Sequence, residues 1–564
     1  MTESHHNAKR PVTWLWNASA GIRWEVLLLL FANVLNGASG VALAWMLRDM
    51  IDSAVDRNLH RFLLYAGLFV SVIVLQLLLR AFVRWFKEHA LSALENKLKK
   101  RLFSVLLDRD YAAVTAVHSE EWMNRLVSDT AIAANGAVSI VPEACGMLVM
   151  LLSAIGATLW MLRTVAWAIL PVGAGIVLMG ILFRKKLKAL HKDIREADGK
   201  LRVTLSERLS ELILVRTFGR EPEAQRQAQA DMDRHRAARL RRTRYSSGAN
   251  FLYGLLMRGA YAAAAIYCGF GILYGTLSYG TFAAVLQLVG QIQTPFANLT
   301  AYLPQYYATL ASAERLMEAE AFRKDCETPR RSAHEIADLY EHAFVGAGLL
   351  DASFTYRPDA SHAVVFTHLN ARIEKGETVV LTGPSGSGKS TLLKLLLCLY
   401  RPEEGRAVLY TADGERTLDA SYRALFAYVP QGNRMYSGTI RSLLTFSDAS
   451  IGDDAIRNAL TVACADFVNE LPDGMNTVLG ERGSGLSEGQ LQRLSIARAI
   501  LSNHPILLLD EATGALDEAT EAAVLMHLKD MTDRTVLIVT HRKKALEIAD
   551  RIWNLEDGVL TQVQ

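Results

Sequence analysis

Six apolar runs, each near the length that carries a helix across a bilayer, leave the first half of this chain few ways to fold. They cover about Val26 to Leu47, Phe62 to Leu79, Ala144 to Leu162, Val165 to Phe183, Ala249 to Tyr274 and Thr281 to Leu303. A hydrocarbon core about 30 Å thick is crossed by about 20 residues of helix, which satisfies its own backbone hydrogen bonds. Six buried helices of a large soluble protein are the alternative, and the scarcity of charges within so many long runs counts against it. Hydrophobic residues make up 51% of the 564. They crowd before about residue 310, while after about residue 345 the chain reads as an ordinary soluble α/β domain.

Only Arg163 and Thr164 separate runs three and four, and a brief Gly/Ser/Thr/Tyr turn separates five and six. The connections after runs two and four are about 60 residues long and helical in pattern. Arg80, Arg84, Lys87, Lys97, Lys99, Lys100 and Arg101 crowd the first; Arg184, Lys185, Lys186, Lys188, Lys192 and Arg195 crowd the second. Basic connections stay in the cytoplasm, which puts both excursions, the N-terminus and the later domain on that side of a bacterial cytoplasmic membrane. Trp14, Trp16 and Trp24 mark an interfacial helix entering the bilayer, and His5 and His6 ahead of them form a tail with no cleavable leader. A net charge of +3 is too small to argue for nucleic acid, and membrane lipids account for basic residues beside the runs. Cys145, Cys268, Cys326, Cys398 and Cys464 are odd in number with no C-x-x-C, which argues against disulfides or zinc and for a reduced compartment.

The segment Gly383 to Thr391, GPSGSGKST, follows the apolar Val379, Val380 and Leu381 and fits G-x-x-x-x-G-K-[ST]. In that pattern the loop of Gly383, Pro384, Ser385, Gly386, Ser387 and Gly388 closes its backbone N–H groups around a polyphosphate. Lys389 then reaches the β and γ phosphates, Ser390 ligates Mg²⁺, and Thr391 belongs to the same motif. Leu392, Leu393, Leu395 and Leu396 continue as a helix whose N-terminal dipole faces the phosphates. ATP or GTP with Mg²⁺ is expected here. Downstream, ILLLD reads as a buried parallel strand carrying Asp510 toward the metal, and Glu511 stands next to it as the base for an attacking water. The fold class expected is a membrane α-helical six-span domain plus an α/β P-loop ATPase domain. The boundaries expected are 1–316 for the membrane domain, 317–345 for a linker and 346–564 for the nucleotide domain.

Leu486, Ser487, Glu488, Gly489 and Gln490 precede the helical run LQRLSIARAIL. This segment resembles the LSGGQ signature of the ATP-binding-cassette family, with Glu488 at the third position. The resemblance implies that Ser487, Gly489 and Gln490 close on ATP held by the other subunit of a dimer. It also implies that Tyr356 stacks on adenine, that Gln431 touches Mg²⁺ and that His541 contacts the γ-phosphate. Ala515, Leu516 and Asp517 match the loop that crosses the dimer interface, although Gly514 stands where Ser is usual. Glu481 matches a position used for communication with intracellular helices. The first half looks like a half-transporter of the type IV exporter fold, with coupling helices near Asp110 to His118 and near Leu205 to Val215.

The resulting reading is an ATP-hydrolysing exporter working by alternating access as a dimer, a homodimer or a heterodimer with a degenerate partner. Its catalytic residues are Glu511, His541 and Lys389, and its metal ligands Ser390, Gln431 and Asp510. An importer of the same fold and a soluble mechanical ATPase are the alternatives; transport direction separates the first, and the six runs oppose the second. A small amphipathic molecule, a lipid or a peptide is the substrate class. Polar residues within the runs, Asn33, Asn36, Arg258, Gln287, Gln291, Thr294 and Asn298, are its candidate contacts. Glue between helices is the competing role for the amides and Thr294, and snorkelling to headgroups the competing role for Arg258.

Overall fold

The computed structural model describes residues 9–162, 166–356, 364–432, 435–480 and 483–563, with only the backbone of 9–10, 166–181, 184, 296–301 and 303. Glu481, the turn at Arg163 and Thr164, and the side chain of Asn298 therefore lie outside the described residues, as do His5 and His6. Two compact units emerge, Met1–Phe103 with Trp122–Glu320, and Ser104–Glu121 with Ala321–Gln564.

The first unit is helical throughout. After α1 (Lys9–Ala18) come α2 (Arg23–Val55) and α3 (Leu59–Asp108), then the short α4 (Tyr111–Thr115) of the second unit. The next rod is α5 (Ser119–Asn124), α6 (Thr130–Asn135) and α7 (Val141–Met161), joined by π turns at Arg125–Asp129 and Gly136–Ile140. It is followed by α8 (Ala166–Ser210), α9 (Leu212–Thr217), α10 (Glu221–Leu273) and α11 (Tyr279–Ala321). Among the described residues four helical stretches are long and apolar enough to cross a membrane: Pro11–Val55, Leu59–Asp108, Ser119–Met161 and Glu221–Leu273. Runs four and six fall on α8 and α11. The apolar stretch of α3 buries none of its residues inside the chain. A surface of that kind calls for lipid or a partner.

Small residues set the closest packing. A Cβ on Gly37 of α2 would collide with the Gly146 carbonyl of α7, so these two helices touch backbone to backbone. At the end of the α10–α11 turn, Asp52 of α2 accepts from Gly280 N (2.8 Å) and Ser278 Oγ (2.8 Å). At the other end of α11, buried Asp129 accepts from Arg315 Nε (2.7 Å) and Ser312 Oγ (2.9 Å). Both buried residues of the first π turn, Arg125 and Asp129, thereby grip α11.

In the second unit α4 is followed along the chain by α12 (Ala333–His342), capped by Ser332, whose Ile336 and Tyr340 are buried in the unit's core. An antiparallel sheet follows the order β2-β1-β4-β5: β1 (Phe344–Phe354), β2 (Phe366–Glu374), β4 (Glu404–Thr411) and β5 (Gly414–Thr417). Between them, β3 (Thr378–Thr382) leads to α13 (Lys389–Leu396). After β6 (Phe426–Val429), the pair β7 (Gly438–Thr439) and β8 (Val478–Leu479) brackets α14 (Ile440–Leu444) and α15 (Asp453–Val462). Then come α16 (Glu488–Leu501), β9 (Ile506–Asp510), α17 (Glu518–Lys529), β10 (Thr535–Val539), α18 (Lys543–Glu547), β11 (Arg551–Glu556) and β12 (Val559–Gln562). The six-stranded sheet runs β12-β11-β3-β10-β9-β6, and every residue of β9 and β10 is buried. Continuous apolar strands such as ILLLD suit a parallel sheet covered on both faces. The carboxyl ends of parallel β3, β9, β10 and β6 therefore open on one edge, where α/β sheets bind ligands.

Candidate nucleotide site

The loop after β3 is shaped by backbone that side chains resist. Gly388, at φ +101°, caps α13, and a Cβ there would lie 2.7 Å from the Phe366 ring. Buried Lys389 donates to the carbonyls of Gly383 (2.8 Å) and Pro384 (2.8 Å), which hold its ammonium over the loop. Burial lowers its pKa, while the Glu511 and Asp510 carboxylates oppose that shift. The hydroxyl of Ser387 is buried without a hydrogen-bond partner among the described residues, in a loop built to receive acceptor oxygens. Pro384, Ser385 and Gly386 form the exposed lip.

At the end of β9, Asp510 is 1% exposed and accepts from Ser390 Oγ (3.1 Å) and Tyr428 Oη (3.2 Å). Burial pushes its pKa up against those two hydrogen bonds. Glu511 follows with φ +51°, in the left-handed region a branched or long side chain rarely occupies. Its carboxylate accepts from Gln431 Nε2 (2.7 Å) and lies 3.5 Å from His541 Nε2. The strained backbone thus delivers the acid between residues from the ends of two neighbouring strands. Phosphate loop, Ser390, Asp510, Glu511, Gln431 and His541 converge, and this donor set fits a nucleoside triphosphate.

Tyr356 flanks the site, its hydroxyl 2.8 Å from Thr391 Oγ1 and its ring 43% exposed. Ser487 is the N-cap of α16; its Oγ accepts from Gln490 N (3.3 Å) and its N–H donates to Gln490 Oε1 (2.8 Å). No hydrogen bond among the described residues joins Ser487, Gly489 or Gln490 to the phosphate loop. Gly489 instead approaches the Ala515 carbonyl, and Gln492 Oε1 accepts from Ala515 N (2.9 Å).

Sequence reasoning missed Arg542, which holds the loop containing Gly514. It donates to the Gly514 carbonyl (2.6 Å), the Leu516 carbonyl (2.9 Å) and buried Glu521 (2.9 Å). Its position beside His541 was the only signal. Tyr428 was missed too, because a strand tyrosine announces nothing until its neighbour is known.

In the membrane unit, Gln291 Nε2 in run six donates to the Gly40 carbonyl in run one (2.8 Å). Asn33 Nδ2 bonds back to Leu29 O (2.8 Å), and Thr294 Oγ1 to Gly290 O (3.1 Å). Asn36 Oδ1 and Gln291 Oε1 are buried without hydrogen-bond partners among the described residues. Gln287 is half-buried, whereas Arg258 is exposed and carries no hydrogen bond or ion pair among the described residues.

Residues 26–296 match the model of the ABC transporter transmembrane region, and residues 366–514 that of the ABC transporter ATP-binding family. An uncharacterized ABC transporter ATP-binding protein, YwjA of Bacillus subtilis, is 30% identical over 81% of this chain and 79% of its own. The ATP-dependent lipid A-core flippase of Salmonella typhimurium is 26% identical over 99% of this chain and 96% of its own. A bacterial Atm1-family ABC exporter, solved with ATP bound, shares the fold at a TM-score of 0.79 with 22% identity, over 96% of both chains.

Proposed function

From the premise that this chain belongs to the ABC transporters and is an ATP-hydrolysing exporter of the multi-pass membrane kind, its ATPase domain cytoplasmic, we propose that it works as a dimer with composite ATP sites. Each ATP lies on the phosphate loop of one subunit, its base on Tyr356, and is covered by Ser487, Gly489 and Gln490 of the other. Ser390, Asp510 and Gln431 would hold Mg²⁺, which would supply neutralisation of the phosphate charge. Glu511 orients the water and His541 contacts the γ-phosphate. Every one of these positions is filled in a single chain, which favours a homodimer.

Two features support partnership. Ser487 is exposed, and among the described residues its hydrogen bonds stay within its own helix. The tip formed by α9 and its flanks exposes Leu209, Ile213 and Phe218 at 70, 74 and 72%. We assign the coupling role to the short helices α4, which lies within the expected Asp110 to His118, and α9, which overlaps the expected Leu205 to Val215 over Leu212 to Val215. The substrate proposed is a small amphipathic molecule, lipid-like in the first instance, given the flippase relative. Arg258, exposed on α10, would favour acidic groups on that substrate where it lines the cavity, snorkelling to headgroups being its competing role.

One observation carries the chemistry: a strained Glu511 whose carboxylate is held between Gln431 and His541. Glu511→Gln should bind ATP and accumulate closed dimers, while hydrolysis slows by about 10²- to 10⁴-fold. Near-parental turnover in that variant would remove Glu511 from the role.

A further inference from the structure

Tyr400 lies just beyond α13 and is the centre of an aromatic column in the second unit. Its ring meets Tyr356 edge-on at 5.2 Å and 85°, and Tyr111 at 5.8 Å and 82°. Phe354 closes the cluster at 5.6 Å from Tyr400 and 5.0 Å from Tyr356. Such edge-to-face pairs prefer defined orientations, so one ring in a packed column does not turn alone. At one end of the column, Tyr356 is anchored to Thr391 in the first turn of α13 and offers its exposed ring to a base. At the other end, Tyr111 opens α4, whose N-cap is Asp110. Burial pushes the Tyr400 phenol up, eased by the Thr115 hydroxyl beside it, so Tyr400 faces both ends of α4.

A second tie reaches the same segment from the far end of α13. Arg423 donates to the Leu397 (3.0 Å) and Cys398 (2.9 Å) carbonyls and, through both nitrogens, to buried Asp325 (2.7 and 3.0 Å). The backbone around Asp325 then clasps the chain before α4: Asp325 N donates to Asp108 O (3.0 Å), and Asp110 N to Arg323 O (2.9 Å). With that clasp as a fixed pivot, the aromatic column is the contact through which the base platform bears on α4.

We infer that Tyr400 is a positioning residue that passes occupancy of the Tyr356 platform to α4, so that the base end of the nucleotide also sets the first intracellular segment. This rests on the roles proposed above for Tyr356 and α4. A base stacked on Tyr356 fixes the plane of that ring; Tyr400, wedged between it and Tyr111, must follow. A column that served only to fill space would leave α4 indifferent to the base.

The test uses the full-length dimer in lipid nanodiscs, with the five cysteines replaced by alanine and a spin label on Tyr274→Cys in the α10–α11 turn. ATP-driven change in label separation is read beside binding of a fluorescent ATP analogue. Tyr400→Leu should bind the analogue within about threefold of the parent yet reach less than about one-fifth of the parental change at saturating ATP. Tyr400→Phe, which keeps the ring, should restore most of it. Tyr111→Leu should reproduce the loss, and the double variant should add nothing, as expected of one shared contact. If Tyr400→Leu does not fold, Tyr111→Leu decides. A full change at saturating ATP in the leucine variants overturns the inference and leaves the exporter reading intact. A parent with no ATP-driven change overturns both.

Discussion

Glu511 sits where backbone conformation and chemistry meet. Its φ of +51° aims the carboxylate away from the line of β9, while its N–H still bonds to Val539 O (2.9 Å) on β10. That placement was legible as a motif but not as geometry: an Asp-Glu pair says nothing of Gln431 and His541 until the sheet brings three strand ends together. Arg542 illustrates the opposite case. Glu521 is 1% exposed and, among the described residues, is ion-paired with Arg542 alone, with Thr513 Oγ1 donating at 2.9 Å. Removing one member of a buried pair strands the other charge, at about 3 kcal/mol or somewhat more. Because the Arg542 side chain is 34% exposed, the expected loss for Arg542→Ala is at or below about 3 kcal/mol. Thermal unfolding of the detergent-purified protein should show it, with much of it recovered in Arg542→Ala/Glu521→Gln. No shift in either variant would mean water already screens the pair.

Among the elements, β9 was readable because four consecutive apolar residues ending in an acid suit a strand covered on both faces. The first π turn was not readable, since its Arg125 and Asp129 reach α11, a contact remote in sequence. Nor was the role of His504, at the entry to β9. Its Nδ1–H donates to Phe426 O (2.9 Å) on β6. Burial depresses its pKa, the Phe426 carbonyl pulls the other way, and Arg534 adds to the depression. The folded chain therefore keeps the imidazole neutral, while the unfolded chain protonates it near about pH 6.5. Unfolded chain binds the extra proton, so the contribution is present above about pH 6.5 and fades as pH falls through the depressed folded value. Between pH 7.5 and 5.5 the melting temperature of the parent should fall by more than that of His504→Gln. Equal slopes would show that His504 does not titrate with unfolding.

At the scale of the whole molecule, the second half of each ATP site is proposed to come from another copy. Mixed dimers carrying Ser487→Arg on one chain and Lys389→Ala on the other would then keep one undamaged site. Cross-linking should show ATP-dependent closure in these mixtures but in neither variant homodimer; mixtures as inert as the homodimers would refute the pairing. The sequence by itself determined the membrane half, the phosphate loop and the strand that carries Asp510, because each is a local pattern of run length, apolar spacing or contiguous motif. Tertiary structure decided what meets what: Gln431 and His541 about Glu511, Gln291 against Gly40, Arg542 on the Gly514 loop, and Tyr400 between Tyr356 and Tyr111. Hydrogen bonds and ring contacts act over a few ångströms between residues up to hundreds of positions apart, and only the folded chain sets those distances.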